Sequence, residues 1–551
     1  MIKIRYKIFN YKFFVFIISL FSVLFINRYE FGIDYSVLIP ILKKIMNPSL
    51  YPSDYFIEQI RYYYTSLWFI IGFIAKFTHL NIEFLLFILY FISIYFIFLG
   101  LYYISLAIFK DEGSAIMGIF LLLFSKQSFA LVETIPLSFY NRLPVLPFLL
   151  FSIYHFLGDE YLYSYLFLGL GFLIHPMSAV YVFFMIFLAT IFEIRKIGFK
   201  RFGLSLIIFF LLSSPLLIWK AIYSPKGSVF LPDKLWVELL RIRSSHHIFP
   251  FSWDKNLFIQ GFIFIAGFFI SFFKRPHYSI HRKIIFFTIA IFIMCLSGII
   301  FTEKIPLTFA LNLQFMRSFV FLIYIGFIYT GNFFYKEVIE NNNYIKKILA
   351  FLSVSLVLYM SELWEVVLFF LILITIFSTF YQFIKRKNLS LKLVKIILIN
   401  ILIILSLYKT FFTNEKILEL KDKDWLDLQK WAKENTKIND VFIVPPYMSG
   451  FRIYSERTIY TDWKDGTMMN FNPEFGYEWK RRMENLTILN KDSLVIGFNR
   501  LKEEDFKRIS DEIFGWNSKP ENVYVITKKL YDGLELVYKN SSFKVYRFSK
   551  K

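Results

Sequence analysis

The sequence predicts an α-helical polytopic membrane protein of about thirteen transmembrane helices, followed by a C-terminal extracytoplasmic α/β domain. Three observations predict it. The 551 residues are 57% hydrophobic and 19% charged, with 72 Phe and 36 Tyr, and the mean hydropathy is +0.54. Most of these apolar residues fall in runs of near membrane-spanning length. Beyond residue 410 the texture changes to short strands and amphipathic segments. A water-soluble chain of this length would have too little polar surface to cover so many apolar side chains. A soluble enzyme, a disordered chain and a disulfide scaffold are therefore excluded. Cys295 is the single cysteine, which excludes an internal disulfide or a cysteine metal site. The net charge of +21 reads as cytoplasmic loop charge, so no nucleic-acid partner is expected. Abundant Phe, Ile, Lys, Asn and Tyr point to an AT-rich, bacterial genome.

The first apolar run, 8–26, follows Lys3, Arg5 and Lys7. No small-residue cleavage site follows it, so it reads as a retained anchor with a cytoplasmic N-terminus. Further runs lie near 63–78, 84–109, 113–126, 143–157, 161–174, 177–194, 203–221, 257–273, 284–301, 316–335, 346–360, 363–384 and 392–410. Four basic loops test this count: Arg195, Lys196, Lys200 and Arg201; Lys274, Arg275, Arg282 and Lys283; Lys336, Lys346 and Lys347; and Lys385 through Lys395. Two spans separate each from the next, so all four fit one cytoplasmic side. Fourteen spans would place the N-terminus outside, against its own basic residues. The run to remove is 63–78, which is short, opens with Tyr62, Tyr63 and Tyr64, and carries Lys76. It reads as an interfacial helix. The N-terminus is then inside and the C-terminus outside.

This topology divides the chain into a membrane module, 1–410, and an outer α/β domain, 411–551, joined by a hinge near 416–423. Three outer loops stand out: 27–83, 126–142 and 222–256. In the outer domain the spacing predicts helices over 424–432, 478–486 and 503–514. It predicts strands over 441–444, 457–460 and 523–526, and a hairpin from 534–537 and 543–548. The cytoplasmic loops carry neither a Walker nor a Rossmann glycine pattern, which argues against ATP-driven transport by this chain alone. Chemistry is expected outside.

The first outer loop offers Glu30, Asp34, Asp54 and Glu58. A carboxylate fixed at the interface can deprotonate a hydroxyl; Asp54 reads equally as a helix cap. The segment Arg241-Ile242-Arg243-Ser244-Ser245-His246-His247 places two Arg and two His close together, followed by Phe249, Phe251 and Trp253 at expected headgroup depth. Three readings fit it: a lipid-phosphate site, a plain interfacial loop, or a metal site, the last weakened by adjacent histidines and no acidic cluster nearby. Arg142, Arg317 and His175 stand at outer ends of spans, where ionisable groups are functional candidates. Glu133 is placed to pair with Arg142. In the outer domain Asp462 and Lys464, beside Trp463, are candidates for sugar contact or for a tight loop packed on its own domain.

One anchor, a long outer loop with an early acidic residue, a large outer loop after the seventh span, thirteen spans and an outer α/β tail together resemble the GT-C superfamily of membrane glycosyltransferases. The resemblance spans most of residues 1–410. It implies a polyprenyl-phosphate-linked sugar as donor, membrane lipids around it, and a glycan, lipid or protein acceptor. It implies a catalytic carboxylate at Asp34, with Asp54 as substitute, because the adjacent Asp-Glu pair of some branches is absent. Glu58, Arg142, His175, Arg241, Arg243, His246, His247, Arg317, Asp462 and Lys464 are then the expected substrate-binding residues. A divalent metal is compatible but not required, and no metal ligands are assigned. The segments Leu50-Tyr51-Pro52-Ser53-Asp54, His175-Pro176, His246-His247 with Pro250, and Val444-Pro445-Pro446 through Asp465 are similar to a bacterial family of unknown function with this architecture. The competing expectation is a non-catalytic protein that binds, scaffolds or moves lipid-linked glycan.

Overall fold

Each apolar run becomes a helix in the computed structural model, which describes residues 2–225, 230–273, 280–341, 343–412 and 422–550. Lys274, Arg275 and most of the expected hinge at 416–423 lie outside the described residues. Among the described residues, seven helices are long and apolar enough to cross a membrane: Ile82–Phe109, Phe199–Tyr223, Lys255–Phe273, Ile280–Lys304, Thr308–Ile339, Trp364–Lys385 and Leu391–Phe411. Shorter apolar helices include Glu112–Leu122, Arg142–Leu157, Tyr161–Ile174 and Pro176–Phe192. The chain is thus a predominantly helical protein built for a membrane, with a small sheet near its C-terminus.

Helix starts follow from local chemistry. Asn81, Asp111, Asp233 and Asp422 each accept a backbone N–H of the following first turn. His175 does the same for Pro176–Phe192, where proline at the first helical position needs no N–H partner. Hydrophobicity all round a helix means either burial in protein or contact with lipid. Both cases occur. Every residue of Phe319–Phe334 is buried. It lies against Glu112–Leu122 so closely that a Cβ on Gly331 would stand 2.4 Å from Gly118 N. Phe199–Tyr223, by contrast, leaves Ile207, Leu211, Ile218 and Ile222 exposed.

The tyrosine-led run forms the helix Leu67–Thr78. Twelve residues rise only about 18 Å, short of a bilayer core. Trp68, Ile71 and Ala75 are buried, while Phe73 and Phe77 are more than 70% exposed, so it is amphipathic about its axis. Ser66 N donates to Leu173 O at its start. Just beyond its end, Glu83 accepts from the C-terminal Tyr454 hydroxyl at 2.6 Å.

Two short strands, β1 (Gln127–Ser128) and β2 (Val132–Glu133), make a hairpin in the segment 126–142. The C-terminal segment holds β3 (Val441–Ile443), β4 (Thr458–Ile459), β5 (Asn522–Thr527), β6 (Glu535–Lys539) and β7 (Lys544–Ser549). Their order is β4-β3-β5-β7-β6. The β3 strand pairs parallel with β4 and β5, and β7 pairs antiparallel with β5 and β6. The helices Lys423–Asn435, Pro473–Leu486 and Glu503–Phe514 match the expected amphipathic segments.

Two expectations are corrected. The region 222–256 is not an open loop: it carries the helix Lys234–Ile248, and Trp236 donates from its indole to Met469 O at 2.9 Å. Phe249 and Trp253 consequently pack inside the protein, and only Phe251 is exposed. Asp54 is not an interfacial carboxylate. It is fully buried and accepts Arg452 Nε and Nη2 at 2.7 and 2.9 Å, while Arg452 Nη1 reaches Asp465 at 2.8 Å. This Asp54–Arg452–Asp465 cluster fastens the C-terminal segment to the segment around Asp54.

Candidate functional site

A cavity of about 1350 Å³ opens where the C-terminal segment meets the helix ends. Its walls come from residues 30–38 and 63–65, the β2–Arg142 connection, the His175 turn, the segment 308–317, the start of Lys234–Ile248, and residues 464–477. Part of its surface is apolar, supplied by Phe172, Met177, Val180, Leu216 and Leu217.

Asp34 reaches this cavity because of a tight approach in the backbone. A Cβ on Gly32 would fall 2.4 Å from Ser138 Oγ, so the segments around residues 32 and 138 approach closely there. Glu30 N donates to Leu137 O and Ser138 Oγ to Glu30 O. Asp34 precedes the helix Tyr35–Met46 but makes no side-chain cap bond. Its carboxylate instead receives Lys464 Nζ at 2.6 Å. Asn141 braces the next wall: it accepts from Trp68 Nε1 and donates to Thr65 Oγ1.

The adjoining Arg142 is buried. It donates to the Glu133 carbonyl at 2.5 Å and the Tyr140 hydroxyl at 2.7 Å. The expected Glu133–Arg142 pairing therefore runs through the main-chain oxygen, and the Glu133 carboxyl is left to the cavity. Burial pushes that carboxyl above its ordinary range, with the Arg142 charge opposing. Arg317 also lines the cavity, and its Nε has no partner among the described residues. The two guanidiniums share a second, small internal space with Tyr181 and Ser178.

The histidines are held neutral. Burial, then the charges of Arg317 and Arg142, push His175 down to about 3. Burial, then Arg243 and Arg317, lower His246 to about 4. His247 is well below its ordinary value for the same first reason. Its Nδ1 lies 2.9 Å from Ala130 O, so it donates there and Nε2 is left as an acceptor.

Of the residues expected from the sequence, Asp34, Arg142, His175, His247, Arg317 and Lys464 share the cavity wall. The others lie elsewhere. Asp54 is enclosed in its ion pair, out of reach of any acceptor hydroxyl, so its assignment as base is withdrawn. Glu58 is exposed outside the cavity. Arg241 lies over the Phe249 ring and reaches Glu303 at 3.2 Å. Arg243 donates to Trp463 O. His246 packs against the His247 ring. Asp462 is buried and accepts from Asp465 N. Sequence reasoning missed Thr308, Asn141 and Gln314, which belong to no motif. Among the described residues no three His, Cys, Asp or Glu side chains gather as metal ligands.

Asp34, the Arg142 and Arg317 guanidiniums and an apolar flank, on a wall that also carries Glu30, Glu133, Asp233 and Glu474, can hold a lipid phosphate beside a base. Residues 423–486 match a domain of unknown function, DUF6798. That stretch includes Arg452, Lys464 and Asp465. No curated protein matches the chain.

Proposed function

We propose that this protein is an integral membrane glycosyltransferase of the GT-C type. It moves a sugar from a polyprenyl-phosphate donor to an extracytoplasmic acceptor. The observation that carries the reading is the placement of Asp34 on one cavity with Arg142 and Arg317. The thirteen-span topology, N-terminus inside and C-terminus outside, belongs to the same proposal. It is supported by the amphipathic burial of the helix Leu67–Thr78, which is bonded near the helix junction at Leu173 on one side and followed by a contact to Tyr454 on the other.

In this reading the polyprenyl chain lies along the apolar flank at Leu216 and Leu217, and its phosphate lies between Arg142 and Arg317. Asp34 takes the proton of an acceptor hydroxyl. The freed oxygen attacks the anomeric carbon, and the bond from that carbon to the phosphate oxygen breaks. The electron pair leaves with the polyprenyl phosphate, whose charge the two guanidiniums stabilise. Arg241, Arg243 and His246, first expected at the phosphate, instead brace the helix Lys234–Ile248. Lys464 must leave Asp34 for the base to act.

That ion pair also favours a second reading, a protein that binds or moves lipid-linked glycan without transferring sugar. Radiolabelled polyprenyl-phosphate hexose offered to the purified protein in nanodiscs separates the two. Release of polyprenyl phosphate with label in an acceptor supports transfer; saturable binding with no release supports the second reading; no binding overturns both.

A further inference from the structure

The hairpin of β1 and β2 holds two cavity residues by its main-chain oxygens. Ala130 O accepts from His247 Nδ1 at 2.9 Å, and Glu133 O accepts from Arg142 Nη1 at 2.5 Å. The turn between the strands is strained: Ala130 and Leu131 sit at φ +58 and +54, a region that residues with a Cβ seldom adopt. His247 and Arg142 both line the cavity, with Leu131, Val132 and Glu133 of the hairpin beside them. One small element therefore sets an imidazole and a guanidinium on the same wall.

The imidazole presents its second nitrogen to the cavity. The helix Lys234–Ile248 departs from helical geometry at Ser244 (φ −129), and its last turn carries His247 to the hairpin. The ring is half-buried, not enclosed. With Nδ1 donating to Ala130 O, Nε2 carries a lone pair. Among the described residues Nε2 is neither hydrogen-bonded nor sealed off. His175, the other cavity histidine, differs: its Nδ1 is spent on Ser178 at the start of Pro176–Phe192. Burial first, then the Arg317 charge, keeps His247 uncharged, so the ring stays an acceptor beside the guanidiniums.

An acceptor beside two cations identifies what it binds. A phosphate that links a sugar to a polyprenyl chain carries no proton. It accepts from Arg142 and Arg317 and has nothing to give to His247 Nε2. A hydroxyl does. The group joined directly to that phosphate is the sugar, whose ring carries hydroxyls on neighbouring carbons. We propose that His247 reads the transferred sugar: its Nε2 accepts a hydrogen bond from a ring hydroxyl, so that a ring offering that hydroxyl is held beside the phosphate and a group lacking it is rejected. This rests on the glycosyltransferase reading and turns His247 from an expected phosphate ligand into a sugar-selecting residue. The hairpin is the positioning element, because Ala130 O fixes which nitrogen carries the proton.

The test uses the full chain in nanodiscs. Binding is measured for the glucosyl, galactosyl and mannosyl esters of a short polyprenyl phosphate, and for its methyl ester, which matches their charge and lacks hydroxyls. The proteins are the wild type, His247→Asn and His247→Gln. Asparagine keeps a donor for Ala130 O but has no acceptor at the place of Nε2; glutamine reaches that place with its amide oxygen. The wild type is expected to bind at least one sugar ester more tightly than the methyl ester. His247→Asn is expected to weaken that sugar ester by about five- to tenfold, the loss of one hydrogen bond to a partly buried group, and to leave the methyl ester unchanged. His247→Gln is expected to bind the sugar ester better than His247→Asn does. Unchanged binding of the methyl ester also shows that the variants fold. The inference falls, while phosphate binding stands, if the wild type binds all four lipids equally or if His247→Asn leaves the sugar ester unchanged. It falls in the same way if a variant weakens sugar and methyl esters alike, or if the two variants lose the sugar ester equally. If the wild type binds none of these lipids, the glycosyltransferase reading itself is overturned, and this inference with it.

Discussion

Lys464 Nζ stands 2.6 Å from Asp34 Oδ1, so a residue of the C-terminal segment neutralises the carboxylate that the turn before Tyr35–Met46 sends into the cavity. The Asp34 side chain is about half exposed, and that of Lys464 is 17% exposed. A surface-accessible pair of this kind contributes little to stability, which leaves its two members free to serve function. Asp34→Asn is therefore expected to leave the unfolding temperature within about 2 °C of wild type. It is expected to lower sugar transfer by at least about a hundredfold, the usual scale for loss of a general base. Thermal unfolding and a radiolabelled transfer assay on the same preparation check both halves. Transfer by Asp34→Asn at wild-type rate would remove Asp34 from the mechanism.

Asp54 should behave in the opposite way. Its carboxylate and that of Asp465 flank the Arg452 guanidinium, and all three side chains are at most 4% exposed. Removing one member of a buried ion pair leaves uncompensated charge and costs about 3–5 kcal/mol. Arg452→Met is expected to lower the unfolding temperature sharply. It should also make the C-terminal segment more sensitive to limited proteolysis, because its contact with the segment around Asp54 is lost. Asp54→Asn should show a milder form of the same defect. A stable Asp54→Asn variant with abolished transfer would return Asp54 to the list of catalytic candidates.

The apolar helices were legible because lipid-facing and core-facing helices both need long apolar runs, whereas Lys234–Ile248, polar along much of its length, was not. The elements of the C-terminal sheet were legible for a related reason: short apolar strands bounded by Pro445-Pro446 or Asn540-Ser541-Ser542 have few other solutions. What could not be read was which polar residues meet. Asp54 and Arg452 are 398 positions apart, and nothing local to either marks the other. The Arg-x-Arg-x-x-His-His segment looked like one site because its residues are adjacent in sequence. On a helix the same adjacency spreads them around the axis. His247 faces the cavity, Arg241 turns to Glu303 and Arg243 to Trp463.

The half-buried histidines predict an acid-sensitive fold. His246 is lowered from 6.5 to about 4, and His247 lies well below 6.5, because burial disfavours the charged ring in both. The unfolded chain takes up these protons near pH 6.5 and the folded chain resists them. Stability is then fully present above about pH 6.5 and falls as the pH drops toward 4. Unfolding temperature measured across that range should decline on acidification. His246→Gln and His247→Gln should each flatten the decline relative to wild type. Parallel curves for wild type and both variants would show that these rings do not titrate as their burial implies.

Gly331 tests the helical core independently of any function. It packs on Gly118 with no room for a methyl group: a Cβ there would lie 2.4 Å from Gly118 N and 2.5 Å from Gly118 Cα. Both contacts are backbone, so no side-chain rotation relieves them, and Phe319–Phe334 and Glu112–Leu122 would have to separate. Overpacking in a filled core costs about 1–3 kcal/mol or more. Gly331→Ala is expected to reduce the monodisperse fraction after detergent extraction and to lower the unfolding temperature. Gly203→Ala is the control, since nothing lies within 4 Å of a Cβ at Gly203 and its helix is built for the membrane. There alanine also removes the helix penalty of glycine, about 1 kcal/mol. Equal behaviour of the two variants would mean that the Phe319–Phe334 helix does not approach Glu112–Leu122 as closely as the Gly118–Gly331 contact requires.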